Sequence, residues 1–141
     1  MAAGKHGSAE ASIVLDDSGG TPRTITNYVL TMGALKITAH NQPSTAYGDA
    51  WEEILMTGVK KGEPIQLGGF FDDTATSGPH VVMGVPDSSP QASTRTLTVV
   101  VGNSVTFTAE GYITSYEVMA KVGSLTEFAA MYHPTGSVAW S

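Results

Sequence analysis

The chain has 141 residues, 41% of them hydrophobic and 14% charged, and its 13 acidic against 7 basic side chains give a net charge of −6. That length supports one core burying roughly 70% of the unfolded surface, and the absence of cysteine excludes disulfide scaffolds, thiolate metal sites and cysteine nucleophiles together. The basic residues are scattered, with Lys60-Lys61 the only adjacent pair, which argues against tight grip on nucleic acid or an anionic membrane.

Residues 1–11 are small and polar and read as a mobile N-terminal arm. They contain no apolar core of the signal-peptide kind, no apolar run in the chain nears the ~20 residues of a membrane helix, and no Asn-x-Ser/Thr triplet occurs, so the composition suits a reducing cytosol. Residues 12–141 read as one domain. Ile13 and Leu15 alternate with Val14 and Asp16 as a strand before the turn residues Asp17-Ser18-Gly19-Gly20. A β-branched strand follows over Arg23–Val29, and a short one over Leu35–Thr38, with pairing expected to end near Pro43.

Asp49-Ala50-Trp51-Glu52 fits a helix start with Asp49 as N-cap, and Trp51, Ile54 and Leu55 would then share a face. Such a helix has about two turns and is marginal alone, so an ordered loop anchored by Trp51 is an equal reading. Ile65–Phe71 is a strand whose Gly68-Gly69 marks a bulge or a close backbone approach. Gly78-Pro79 opens a short helix through Val85, stopped by Pro86. Arg95–Val101, Ser104–Glu110, Tyr112–Val122 and Glu127–Tyr132 complete the strands, with Gly102-Asn103 suited to a tight hairpin. Short connections favour antiparallel pairing. The expected fold is therefore all-β, a mostly antiparallel sandwich or barrel with one or two short helices.

Motifs for chemistry are missing. His6, His40, His80 and His133 share no local face, and no His-Glu-x-x-His, Gly-x-Ser-x-Gly or phosphate-loop pattern occurs. His133, beside Pro134, reads as a surface or turn residue. The pairs Asp16-Asp17, Glu52-Glu53 and Asp72-Asp73 read as solvated turn or face residues, because adjacent side chains on an extended segment diverge. Neither catalysis nor a cofactor or metal is called for. Two features ask for more. Leu97-Thr98-Val99-Val100-Val101 is an aggregation hazard unless central or covered. Tyr47 and Trp51, on a long excursion, either fold back on their own core or anchor on another subunit.

Taken in order, several segments resemble the tail tube protein (major tail protein) of long-tailed, siphovirus-type bacteriophages: 20–29 (GTPRTITNYV), 45–53 (TAYGDAWEE) with Thr57-Gly58 and Lys61-Gly62, 69–73 (GFFDD) with Gly78-Pro79, and 111–117 (GYITSYE) with 125–128 (LTEF) and 134–136 (PTG). The resemblance implies a β-sandwich with a flanking helix, assembled with itself as hexameric rings stacked into a tube whose inner barrel is shared between subunits. It implies a structural virion protein that is not an enzyme, located in the tail, assembled in the bacterial host cytoplasm, and giving DNA a non-adhesive passage into the host. Partners implied are the tape-measure protein and the tail-tip and tail-terminator proteins, with no membrane binding by this chain. In the region 41–62 the contact candidates between rings or subunits are Tyr47, Asp49, Trp51, Glu52, Ile54, Leu55, Lys60 and Lys61. An acidic, hydroxyl-rich strand face would repel phosphate, so Thr106, Thr108, Glu110, Glu117 and Glu127 are the candidates for the channel lining. The alternatives are a secreted tube subunit of a contractile injection system, and a monomeric carbohydrate-binding sandwich using Tyr47, Trp51 and Trp140 as a stacking platform with Asp72-Asp73 holding calcium.

Overall fold

A computed structural model describes residues 7, 11–17, 19–75, 78–83, 94–102 and 104–141. Among them the chain forms β1 (Ser12–Asp16), β2 (Pro22–Thr24), a 3-10 turn (Thr26–Tyr28), β3 (Val29–Met32), β4 (Ile37–Pro43), β5 (Ile54–Gly62), β6 (Ile65–Phe70), α1 (Pro79–Met83), β7 (Arg95–Val101), β8 (Val105–Met119) and β9 (Glu127–Trp140). Seven strands make one antiparallel sheet in the order β2-β1-β7-β8-β9-β6-β3, and β4 and β5 form a separate two-stranded sheet. The expected all-β architecture is therefore present, with the expected arm outside the described residues except Gly7 and Ala11.

The long β8–β9 ribbon serves two walls. β7 pairs with residues 105–111 of β8, whereas β6 pairs with residues 127–132 of β9. At the corner between them the β8–β9 register shifts between Ile113 and Ser115, which moves the core-facing side chains from odd to even positions. Phe107, Ala109 and Ile113 face the core before the shift, and Tyr116 packs on it afterwards. Leu97, Val99 and Phe107 from one wall and Ile65, Leu67 and Phe128 from the other belong to a single buried cluster. The sheet must curl for these walls to meet, and a bulge is the local device that permits such a bend.

Helix α1 lies against that core through Val82 and Met83. Arg95, itself buried, donates from Nη1 to the Val82 carbonyl at the end of the helix. The His80 ring sits between Phe71 and Tyr116, with centroids 5.0 and 5.8 Å away, and its Nδ1 is 3.2 Å from the Tyr116 hydroxyl. Tyr132 is fully buried and donates its hydroxyl to the carbonyls of Arg95 (2.6 Å) and Ala109 (3.1 Å). Burial drives its pKa far above the ordinary phenol value.

Several expectations change in detail. The strand expected over 23–29 is broken by the 3-10 turn, where the Ile25 N–H bonds the Ile13 carbonyl and carries the chain from one edge of the sheet to the other. The two strands expected at 104–110 and 112–122 are one, because Gly111 supplies no turn. It lets β9 approach: a Cβ there would lie 2.2 Å from the His133 carbonyl oxygen. β9 likewise runs through His133-Pro134 to Trp140 instead of stopping at Tyr132. Gly69 is a close approach as expected, its absent Cβ falling 1.9 Å from the Tyr28 oxygen. The run at 97–101 occupies an interior strand, so its edges are covered by β1 and β8. Asn103 and residues 84–90, which bear on the expected tight turn and the helix stop, lie outside the described residues.

Candidate functional site: a projecting hairpin and an outward sheet face

No helix forms over 49–58. Residues 44–53 are an irregular loop closing the β4–β5 hairpin, and Ile54 pairs with Pro43. The Ser44 and Glu53 backbones meet at 3.0 Å, the Glu53 N–H donates to Thr45 Oγ1 at 2.8 Å, and Asp49 Oδ2 accepts from the Ala46 N–H at 2.7 Å. Asp49 thus caps a turn rather than a helix. The physical reason is tertiary: the apolar face of a two-turn helix would have had no core to cover, while pairing with β4 satisfies the backbone. The ladder shifts register between Ala39 and Asn41, and Gly58 adopts a φ of 86°, so the hairpin bends midway.

The hairpin buries almost nothing of itself. Gly62 is the only buried residue of β5, held at the base against Pro134 and Val138 of β9. Beyond it Ile54, Leu55, Met56 and Val59 are 57–65% exposed, and at the tip Trp51 is 83% exposed and Tyr47 wholly so. The two aromatics do not fold back on the core. Among the expected contact residues, Tyr47, Asp49, Trp51 and Glu52 cluster in the tip loop, Ile54 and Leu55 begin β5, and Lys60 and Lys61 lie near its base. An isolated two-stranded ribbon is marginal in water, and large uncovered apolar patches are uncommon on monomeric proteins.

The five channel candidates all point away from the core. Thr106, Thr108 and Glu110 alternate with buried Phe107 and Ala109, and register aligns them with Val100, Thr98 and Thr96 of β7. Across β7, Thr98 in turn faces Val14 of β1. Glu110 accepts hydrogen bonds from the hydroxyls of Thr94 (2.8 Å) and Thr96, and Asp16 Oδ2 lies 3.4 Å from the Thr96 nitrogen. Hydroxyls and two carboxylates therefore share the outside of the first wall. Glu117 and Glu127 stand on the other wall, opposite Ala129 and Met119 respectively. The five do not gather at one spot; the corner divides them. Sequence reading had missed this corner, whose signal was the run Ile113-Thr114-Ser115-Tyr116, where the alternation of large apolar residues slips by one.

Among the described residues no group of three or more His, Asp or Glu could hold a metal ion, and no helix is long and apolar enough to cross a membrane. Asp72 accepts from the hydroxyl and N–H of Thr74, which hold its pKa below the ordinary carboxylate value. Trp140 packs edge-on against Phe107 at 5.0 Å on the seven-stranded sheet, whereas Tyr47 and Trp51 stand in the tip loop of the hairpin, so the three do not form a stacking platform.

Comparison of the sequence with family models and with curated proteins finds no match. Comparison of the fold does. The subunit in the tail of an empty gene transfer agent particle, refined with sixfold symmetry, superposes with a TM-score of 0.73 at 16% identity, over 97% of this chain and 99% of that one. A chain of the anti-feeding prophage baseplate gives 0.71 at 10% identity, over 99% and 97%. The SPP1 tail tube gives 0.67 at 10% identity, over 96% of this chain and 78% of that one. The fold is that of tail-tube subunits.

Proposed function

We propose that this chain is a structural virion protein that polymerises, as rings of six stacked on one another, into the tail tube through which a phage delivers DNA. The observation that carries the proposal is the β4–β5 hairpin: four large apolar strand residues and two tip aromatics lie in water on an element with no core of its own. Covering them needs another molecule, and tube-forming chains of the same fold supply the model for it, including a sixfold tail. In this reading Tyr47, Asp49, Trp51, Glu52, Ile54 and Leu55 reach a copy in the adjacent ring, and Lys60 and Lys61 contact a copy near the hairpin base. The tail is the location and the host cytoplasm the place of assembly. Tape-measure, tail-tip and tail-terminator proteins are the further partners.

The channel lining is assigned to the wall of Thr106, Thr108 and Glu110, where hydroxyl and carboxylate groups face outward together. Negative charge there opposes the DNA phosphates, and without clustered cations no counterion release rewards adhesion. Glu117 and Glu127, on the other wall, add to the acidity near the β8–β9 turn.

Negative-stain microscopy of concentrated full-length protein tests the reading: rings or tubes with a central channel are expected. Protein that stays monodisperse and monomeric across concentration and salt, and with a tail-tip complex added, overturns it. A second reading, the tube of a contractile injection system, is favoured by the likeness to the anti-feeding prophage chain. It predicts that tubes of this protein accept a contractile sheath, which a tube of the flexible-tailed type does not.

A further inference from the structure

We propose that the β8–β9 turn of one copy seats in a groove on a second copy, between the hairpin base and the β9 bulge, making a repeating head-to-tail contact. The inference rests on the self-assembly reading above and names a second pair of surfaces for it. The donor surface is the turn after Met119. It is well formed, with the Ser124 N–H on the Lys121 carbonyl at 3.1 Å and Gly123 at a φ of 83°. Yet it presents Val122 fully exposed, Leu125 70% exposed, and Val118 and Met119 nearly half exposed. An ordered turn tipped with uncovered aliphatic side chains has the form of a plug.

The receiving surface is a groove of about 540 Å³. Residues 135–137 of β9 form a bulge opposite Glu110, since Ala109 pairs with Val138 and Gly111 with Pro134. Ile37, Gly62 and Val138 line its apolar part and Lys60 and Lys61 its basic part. Charge matches the two surfaces. Glu117 and Glu127 flank the turn against Lys121 alone. By the groove stand Lys36, Lys60 and Lys61, offset by Glu63, whose carboxylate is already bonded to Thr38 (2.8 Å) and lies 4.0 Å from Lys61. The turn keeps an acidic excess and the groove a basic one, the arrangement that steers an encounter and sets its register.

Geometry excludes self-docking. The turn precedes Glu127 and the bulge begins at Thr135, eight residues further along one continuous strand, which at about 3.3 Å per residue puts roughly 26 Å of strand between them. A surface at one end of a ribbon that matches the other end of an identical ribbon makes a heterologous contact, which repeats from copy to copy.

The absence of cysteine allows a clean test. Full-length Val122→Cys/Ser137→Cys protein, concentrated and mildly oxidised, is expected to give a ladder of disulfide-linked multimers on a non-reducing gel. Val122→Cys alone should stop at dimers, and Val122→Cys/Asn27→Cys, with the second thiol away from the groove, should give no ladder. Adding Glu127→Lys to the first variant should cut multimer yield about tenfold, and adding Lys60→Glu as well should restore it. Rings or tubes without a ladder overturn the contact and leave the tube reading standing. A ladder without rings or tubes keeps the contact and removes that reading. A ladder of equal strength from the Asn27 control, or one indifferent to the charge exchange, also overturns the proposal.

Discussion

The β8–β9 ribbon and the β4–β5 hairpin are both antiparallel pairs, and their side chains meet opposite fates. Along β8 and β9 alternate residues vanish into the core until the strands outrun it. Along β5 no residue but the last is buried, although Ile54-Leu55-Met56 is as apolar as any core strand. The difference lies in company rather than composition. The ribbon bends at a bulge and closes walls around Phe107 and Phe128, whereas the hairpin touches the domain at its base, through Ile37 and Gly62. Apolar sequence is buried only where the fold brings a second layer to cover it.

That contrast can be broken experimentally, most forcefully at the ribbon. Phe107→Ala removes a fully buried ring shared by the core and Trp140, and should cost about 3–5 kcal/mol in urea unfolding. That is a large part of the stability of a domain this size. Gly111→Ala should cost about 1–3 kcal/mol or more, because the new methyl meets the His133 backbone rather than a side chain that can move. Tyr132→Phe leaves the Arg95 and Ala109 carbonyls without the hydroxyl, and about 1–3 kcal/mol is expected from the same measurement.

At the hairpin the outcome should invert. Trp51→Ser and Leu55→Ser should each leave the unfolding midpoint of the free subunit within about 0.5 kcal/mol of the parent, while rings and tubes disappear from micrographs. If either variant unfolds the subunit, the hairpin is part of the core after all and the contrast fails. The smallest effect concerns acid. The Thr21 N–H, with Arg23 and the Gly19 N–H, lowers the Asp17 pKa in the folded chain. The stabilisation is therefore complete above the unfolded carboxylate value and fades as pH falls through the folded one. Asp17→Asn should lower the melting temperature slightly at neutral pH and leave it unchanged at the acid end, read by thermal scans across pH.

Sequence alone reached the all-β class and the positions of most strands, because alternation such as Thr96-Leu97-Thr98-Val99 reports a half-buried strand wherever it is placed. It also marked the excursion carrying Tyr47 and Trp51, while leaving open whether those rings fold back on their own core or anchor on another subunit. Other features were decided only when distant segments met. The spacing of Trp51, Ile54 and Leu55 fits a helix as well as a strand, and β4 settles the matter by offering backbone partners. Gly111 resembles a turn until β9 is seen pressed against it. The corner at Thr114 divides Thr106, Thr108 and Glu110 from Glu117 and Glu127, because a face is a property of the closed sheet, not of the chain. Local chemistry determines which bonds each residue prefers; which side of a wall it occupies depends on neighbours tens of residues away.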